Sequence, residues 1–209
     1  MPPASSGYQF FAPGNAEARA HIASVVDELE QSYDVDGIHM DFIRYPGPEC
    51  YDGTPDFERD QITSLVRELK MHVHFLSVAS WGVYENKWGW SGVSQGNIDF
   101  MQDAHKWARE SLVDALCPMM YWATTEPKGG RLDFQTLTDD HKAAADAGGA
   151  LLFTGINAEL ELQEIEKEIR YARTSSAAGF VLFDYSLIKD RLSTLSADVL
   201  SERVAPPTR

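Results

Sequence analysis

The sequence of 209 residues has few cysteines, a shortage of positive charge and no long apolar run. Its two cysteines, Cys50 and Cys117, do not have metal-ligand spacing and nothing places them within bonding distance of each other. We therefore expect two free thiols. With 18 Lys and Arg against 32 Asp and Glu, the formal net charge is −14. Nucleic acids and anionic membranes are poor partners for such a chain, because both are bound through clustered cations.

The longest apolar runs, such as 150–153 and 180–183, have the length of strands and lie far below the roughly 20 residues that span a bilayer. The N-terminal segment lacks the basic region and apolar core of a signal peptide, so we expect no export signal. The sequence does not indicate a cellular compartment. The composition, 44% hydrophobic and 24% charged, predicts one soluble globular domain over residues 1–209.

Helical and strand-like patterns alternate along the chain. Ile22, Val25 and Leu29 have helical spacing after a candidate N-cap, Asn15. Further helices are predicted around 62–69, 98–108, 137–147, 160–169 and 188–200. Five nearly continuous apolar segments predict parallel strands at 37–41, 72–79, 115–121, 150–156 and 180–183.

This alternation predicts an α/β fold, an incomplete (β/α) barrel of TIM type with about five βα units. A complete barrel has eight units in about 250 residues, more than this chain provides. A doubly wound open sheet is the structural alternative, since it needs no closure. No Gly-rich phosphate loop follows any of the predicted strands to support a nucleotide-binding version of it.

The segment Tyr33–Pro46 predicts a strand that carries a carboxylate at its C-terminal end. Side chains alternate along a strand, so Gly37, His39 and Asp41 share one face, and the apolar residues between them share the other. An apolar outer face with polar inner groups is typical of a barrel strand at the catalytic end. The alternative is that Asp41 forms a structural salt bridge.

The same segment, YDVDGIHMDFIRYP, resembles a strand of glycosyl-hydrolase-like family ten, hypothetical glycosyl hydrolases with a TIM-barrel domain. The resemblance continues through 74–82, 114–122 and 179–186 and covers nearly the whole chain. Phe42 departs from it, because Tyr or Asp is more usual there, which removes a hydrogen bond or a second carboxylate.

In the relatives this strand looks like the fourth of a barrel. The resemblance thus implies a barrel that lacks its first part, with residues 8–11 as a remnant of the third strand. Relatives are often exported. An incomplete barrel leaves strand edges unpaired, so we also expect self-association through them.

The family implies glycoside hydrolysis, which usually needs two carboxyl groups about 5 to 10 Å apart. Asp41 is the expected nucleophile or charge stabiliser. Candidates for its partner near other strand ends are Glu85, Glu126 and Asp184. We favour Asp184 for its rigid position and Glu126 for the mobility that a proton donor needs. Each carboxylate has the alternative of being solvated or of capping a helix.

Aromatic and polar residues near the strand ends predict a carbohydrate groove, because aromatic rings stack on the CH faces of sugars. The alternative for the aromatic residues is that they cover a small core of their own loop. Candidate substrate-binding residues are His39, Arg44, Tyr45, Trp81, Glu85, Trp88, Tyr121, Trp122 and Asn157, with Tyr84 and Trp90 in the same loop as Trp88. His39 can also serve as an ordinary core histidine, and Asn157 can form a turn.

Three functions are compatible with these residues. The first is a glycoside hydrolase acting on an oligo- or polysaccharide without a cofactor, and the second is a catalytically inactive carbohydrate-binding barrel. The third, a metal-dependent hydrolase, is disfavoured because His and Asp are not clustered. His72 and His74 have strand spacing, but no third ligand lies near them in the sequence, so we expect no metal site.

Overall fold

The computed structural model describes residues 10–47 and 53–201. Cys50 and residues 8 and 9 of the predicted strand remnant lie outside the described residues, and residues 10 and 11 are not in a strand. The strands are β1 (Ile38–Met40), β2 (Leu76–Trp81), β3 (Ala115–Met119), β4 (Leu151–Asn157) and β5 (Gly179–Phe183). The helices are α1 (Ala16–Ser32), α2 (Pro55–His72), α3 (Gly96–Asp99), α4 (Ala104–Arg109), α5 (Phe134–Gly148), α6 (Leu162–Thr174), α7 (Tyr185–Ile188) and α8 (Leu192–Ala197).

The five strands are parallel and lie side by side in sequence order, forming a curled half-barrel with the helices on its outside. A doubly wound sheet reverses its strand order at a switch point, and this sheet has no such reversal among its five strands. The predicted incomplete barrel is therefore confirmed, and the open-sheet alternative is wrong.

Most predicted elements are present, with corrections at their ends. The strand expected from residue 72 begins at Leu76, because α2 continues to His72. The helix expected over 98–108 is two short helices, separated where Met101 adopts a left-handed backbone with φ of 54°. The last helix is also broken, and a 3-10 turn joins α7 to α8. The predicted N-cap of α1 is confirmed, since Asn15 Oδ1 accepts the Glu17 N–H at 2.8 Å.

The two histidines considered as metal ligands do not share a strand face. The Nδ1 of His72, at the end of α2, lies 2.6 Å from Asp27 of α1, and the Nδ1 of His74 lies 2.9 Å from Glu30 of the same helix. In the parts of the chain that the structure describes, no group of three or more His, Cys, Asp or Glu side chains could hold a metal ion.

The sheet has two unlike faces. On the outer face Leu76, Leu116 and Ile156 are fully buried against the helices. On the inner, concave face Val181 and Phe183 of β5 are 40% and 54% exposed. The hydrophobic core therefore lies between the sheet and its helices, and the concave face stays open to solvent at its β5 side.

Two tight features hold the strands in place. A Cβ on Gly155 of β4 would lie 2.4 Å from the Pro118 carbonyl oxygen, so only glycine permits this approach of β3 and β4. Asp114 is buried below β3, accepts the Leu76 N–H at 2.6 Å, and pairs with Lys70 of α2. This carboxylate thus ties α2, β2 and β3 together.

Glu168 of α6 is fully buried, and neither of its carboxylate oxygens has a hydrogen-bond partner. Burial, reinforced by the negative charge of Glu164, raises the pKa of Glu168 to about 9. The side chain is therefore an uncharged acid at neutral pH, as an unpaired buried carboxyl must be.

A pH-dependent stability follows from this group. The folded protein keeps the proton up to about pH 9, whereas the unfolded chain loses it near pH 4 to 5. Between those values the unfolding free energy should fall as pH rises, by up to about 1.4 kcal/mol per pH unit from this residue. Urea denaturation of Glu168→Gln at pH 5, 7 and 9 should show a flatter profile than the wild type.

Glu166→Gln, on the same helix, is the matched control and should keep the wild-type slope. Parallel profiles for Glu168→Gln and the wild type would contradict the assigned protonation state.

Candidate active site

Asp41 follows β1 directly, at the C-terminal end of the sheet. Its Oδ1 accepts the N–H of Phe42 at 2.7 Å, and Phe42 has a left-handed backbone with φ of 55°. The chain therefore turns immediately after the carboxylate, and this turn orients an exposed Asp41 toward the concave face.

A cavity of about 300 Å³ lies on that concave face. Strand ends supply its polar groups, and strand interiors supply its floor. Its lining consists of His39, Asp41, Ala79, Cys117, Met119, Tyr121, Gly155, Val181 and Phe183. Among these described residues Asp41 provides the one carboxylate. The structure thus brings three predicted site residues, His39, Asp41 and Tyr121, to one cavity.

His39 is held by the neighbouring strand, with its Nδ1 2.8 Å from Ser77 Oγ of β2. Partial burial lowers the pKa of His39, and the charge of Asp41 offsets this only in part. The ring is therefore neutral at neutral pH and offers a hydrogen bond rather than a charge. The sequence signal for Ser77 was weak, since its partner lies 38 residues away.

Arg44 brings a positive charge next to Asp41. Its guanidinium lies 3.9 Å from the ring centre of Phe42 and 5.4 Å from that of Trp81. Burial lowers the pKa of Arg44, and the nearby carboxylate opposes that shift. Its Nη1 is buried without a hydrogen-bond partner. Aromatic faces thus hold this cation in place, and its Nη1 group is not used in a hydrogen bond.

Tyr121 stacks on Phe183, with 5.6 Å between ring centres. Burial, and after it the negative charge of Asp41, raises the pKa of Tyr121 to about 12. The phenol therefore keeps its proton and can donate a hydrogen bond at the edge of the cavity.

The floor of the cavity contains a thiol. Cys117 of β3 is a free cysteine, as expected, and burial raises its pKa to about 12. It sits beside Met119 in the lining, so two sulfur atoms face the space above the strands.

Gln102 connects the segments that carry the site, and no sequence pattern indicated it. The side chain is buried, and its Nε2 donates to the carbonyls of Ile43 at 3.1 Å and Ala79 at 3.0 Å. Its Oε1 accepts the Trp81 N–H at 2.5 Å. One amide therefore links the chain beyond Asp41 to the end of β2.

Two other predicted site residues, Tyr45 and Asn157, have internal partners. Tyr45 is buried and donates its hydroxyl to Glu58, in a second cavity next to Phe57. Asn157 Oδ1 accepts the Glu159 N–H at 2.9 Å, which is the turn considered as its alternative. Both side chains contribute to local structure in the described residues.

Asp184 caps α7, since its Oδ1 accepts the Ser186 N–H at 2.8 Å and is also bonded by the Ser186 hydroxyl. The hydrogen bonds from Ser186 lower the pKa of Asp184. Such a carboxyl is poorly suited to donate a proton. Glu85 and Glu126 are exposed in the loops after β2 and β3, and neither lines the cavity.

The predicted aromatic loop is divided between two places. Trp81 packs on Phe100 near Arg44, and its indole N–H donates to the Ser94 carbonyl at 2.9 Å. Trp122 is half-buried and packs against the core, whereas Trp88 stacks on Trp90 outside the Asp41 cavity. Trp88 therefore lies apart from His39, Asp41 and Tyr121, the predicted site residues that line the cavity.

Comparison with known proteins gives one relationship. No family model matches the sequence. Glycosyl hydrolase YngK of Bacillus subtilis (strain 168) is 26% identical to it over 145 residues, which cover 54% of this chain and 28% of the relative. The chain is related to a glycosyl hydrolase. The match spans less than a third of the relative's length, and membership of glycosyl-hydrolase-like family ten stays a prediction.

Removal of the Gln102 amide tests its role in the site. Gln102→Ala leaves two carbonyls and one N–H without their partner in a buried region, and each such group costs about 1 to 3 kcal/mol. We expect the unfolding free energy to fall by at least about 2 kcal/mol in urea denaturation. Gln163→Ala, an exposed glutamine of α6, should change it little. Equal stabilities of the two variants would contradict the assignment.

Proposed function

We propose that this protein is a glycoside hydrolase that cleaves O-glycosidic bonds of an oligo- or polysaccharide in the Asp41 cavity. The observation that carries the proposal is the setting of Asp41, at the C-terminal end of a half-barrel strand and beside Arg44, His39 and Tyr121. Barrel enzymes place their chemistry at this end. The relationship to a glycosyl hydrolase supports the same reaction class.

In this proposal Asp41 attacks the anomeric carbon or stabilises the positive charge that develops there. Tyr121, which stays protonated, donates a hydrogen bond to a sugar hydroxyl, and the guanidinium of Arg44 keeps Asp41 ionised. Neutral His39 accepts or donates another. Phe183, which lines the cavity and stacks on Tyr121, offers a ring face to the sugar.

The proton donor must be a second carboxyl group. Glu126 and Glu85 are the better candidates, because both are exposed on loops and can move with a leaving group. Asp184 fits less well, since its carboxylate caps α7 and its pKa is lowered. All three are candidates for the proton donor, and replacement of each by its amide tests them.

The second candidate function is a catalytically inactive carbohydrate-binding barrel. It is favoured by the single carboxylate among the described residues that line the cavity. In that case Asp41 and Arg44 bind sugar hydroxyls and no bond is broken. The two functions are distinguished by hydrolysis, because only the enzyme releases new reducing ends from a polysaccharide.

Replacement of Asp41 separates them. Asp41→Asn keeps the shape and removes the charge, so it withdraws the interaction made mainly in the transition state. We expect kcat to fall at least about 100-fold with KM nearly unchanged, measured as reducing-sugar release on a polysaccharide that the wild type degrades. Asp36→Asn, an exposed carboxylate before the same strand, is the control and should keep full activity.

A folded Asp41→Asn that degrades this polysaccharide at the wild-type rate would rule out the catalytic assignment. Absence of hydrolysis by the wild type, together with glycan binding, would favour the inactive barrel.

We also propose that the chain self-associates through its open edges. β5 ends the described sheet, so the backbone of its outer edge can pair with another strand, and the exposed Val181 and Phe183 on its concave face add apolar surface next to that edge. Sedimentation velocity should show larger species as concentration rises, and Val181→Lys should reduce them. Met71→Lys, a change at an exposed residue of α2, should not. A monodisperse wild-type monomer at about 100 µM would contradict this expectation.

In the part of the chain that the structure describes, no helix has the length and apolar character needed to cross a membrane. We propose a carbohydrate as the partner, because a net charge of −14 makes nucleic acid and anionic membranes poor partners.

A further inference from the structure

A trough of about 500 Å³ lies between the loops that follow β2 and β3. Its lining is Trp88, Gly89, Trp90, Ser91, Gly92, Val93, Gly129, Gly130, Arg131 and Leu132. None of these residues lines the Asp41 cavity. The trough is therefore a separate surface feature at the C-terminal side of the sheet.

Two tryptophans form an aromatic platform in this trough. The rings of Trp88 and Trp90 are stacked, with 4.5 Å between their centres and 22° between their planes. Both are half-buried, because they also pack against the core. The indole N–H of Trp90 donates to the Gly129 carbonyl at 3.2 Å, which fixes that ring across the two loops.

The loop that carries the platform is held in shape by its own hydrogen bonds. Asn86 donates its amide to the Trp90 carbonyl at 2.6 Å and accepts the Trp90 N–H at 3.1 Å. Gln95 Oε1 accepts the Asn86 N–H at 2.7 Å, and Lys87 pairs with Asp140 of α5 at 2.7 Å. The rings are thus positioned before any ligand arrives, which lowers the entropic cost of binding.

The surroundings of the platform are polar and uncovered. Gly89 and Gly92 have φ of 72° and 67°, and a Cβ on either would meet no atom within 4 Å. Their backbone groups therefore remain accessible at the rim. Arg131 is exposed and makes no hydrogen bond or ion pair among the described residues.

We propose that this trough is a second carbohydrate site, which binds a pyranose ring of a glycan chain away from the bond that is cleaved. A sugar ring has an apolar CH face for the tryptophans and a rim of hydroxyls for backbone groups and Arg131. A purely apolar ligand would leave those polar groups unpaired, and a polyphosphate would meet a chain of net charge −14. The ligand class rests on the proposed function, but binding here does not require hydrolysis.

The test is affinity electrophoresis in native gels that contain hydroxyethyl cellulose, glycol chitin, xylan or galactomannan. We expect at least one polymer to retard the wild type and Asp41→Asn equally, because the trough does not include Asp41. Trp88→Ala should bind at least about fivefold more weakly, whereas Trp88→Phe should retain most of the affinity. Tyr33→Ala, which removes an exposed aromatic ring just after α1, is the control and should bind as the wild type does.

If Trp88→Ala does not fold, Gly89→Asn replaces it, since asparagine tolerates a positive φ and its side chain obstructs the trough. The proposal is overturned by wild-type affinity in the folded Trp88 variant, by equal losses in Trp88→Ala and Tyr33→Ala, or by a wild type that no polymer retards. Reducing-sugar release from the same polymers is recorded in parallel. Hydrolysis without trough binding refutes this site alone, and trough binding without hydrolysis refutes catalysis alone.

Discussion

The structure depends on the burial of one face of each strand against the helices. Leu76, Leu116, Leu152 and Ile156 are almost completely buried on that face, and each such side chain contributes roughly 1.5 to 3 kcal/mol. Because side chains alternate along a strand, this burial also decides which residues reach the concave face. A shift of register by one residue would exchange the two sets. The placement of the candidate site residues is therefore a consequence of core packing.

The end of the sheet needs a different kind of support. β1 pairs with β2 only up to Met40 opposite Val78, so the chain that follows Asp41 has no strand ladder to hold it. The side-chain amide of Gln102 supports it instead. Its Nε2 donates to the carbonyls of Ile43 and Ala79, and its Oε1 accepts the Trp81 N–H. The left-handed turn at Phe42 then directs the carboxylate. A buried polar side chain of this kind is stable only because all of these groups are satisfied.

The sequence predicted what depends on local patterns. Apolar runs indicated five strands in a parallel arrangement, and alternation placed His39 and Asp41 on the same face. Contacts between residues far apart in the sequence could not be predicted from these patterns. Gln102 bonds carbonyls 59 and 23 residues away, and the left-handed backbone at Met101, which breaks the predicted helix, has no signature in a methionine. The separation of Trp88 from Trp81 likewise depends on how two distant loops meet.

Cys117 adds a chemical property to the cavity. Thiols react with oxidants and alkylating agents as thiolates, and a pKa of about 12 leaves almost none of that form at neutral pH. Although it lies beneath an open surface, this sulfur should resist sulfenic acid formation and covalent labelling. With Met119 beside it, Cys117 gives the cavity a floor that is polarisable, uncharged and without a reactive thiolate.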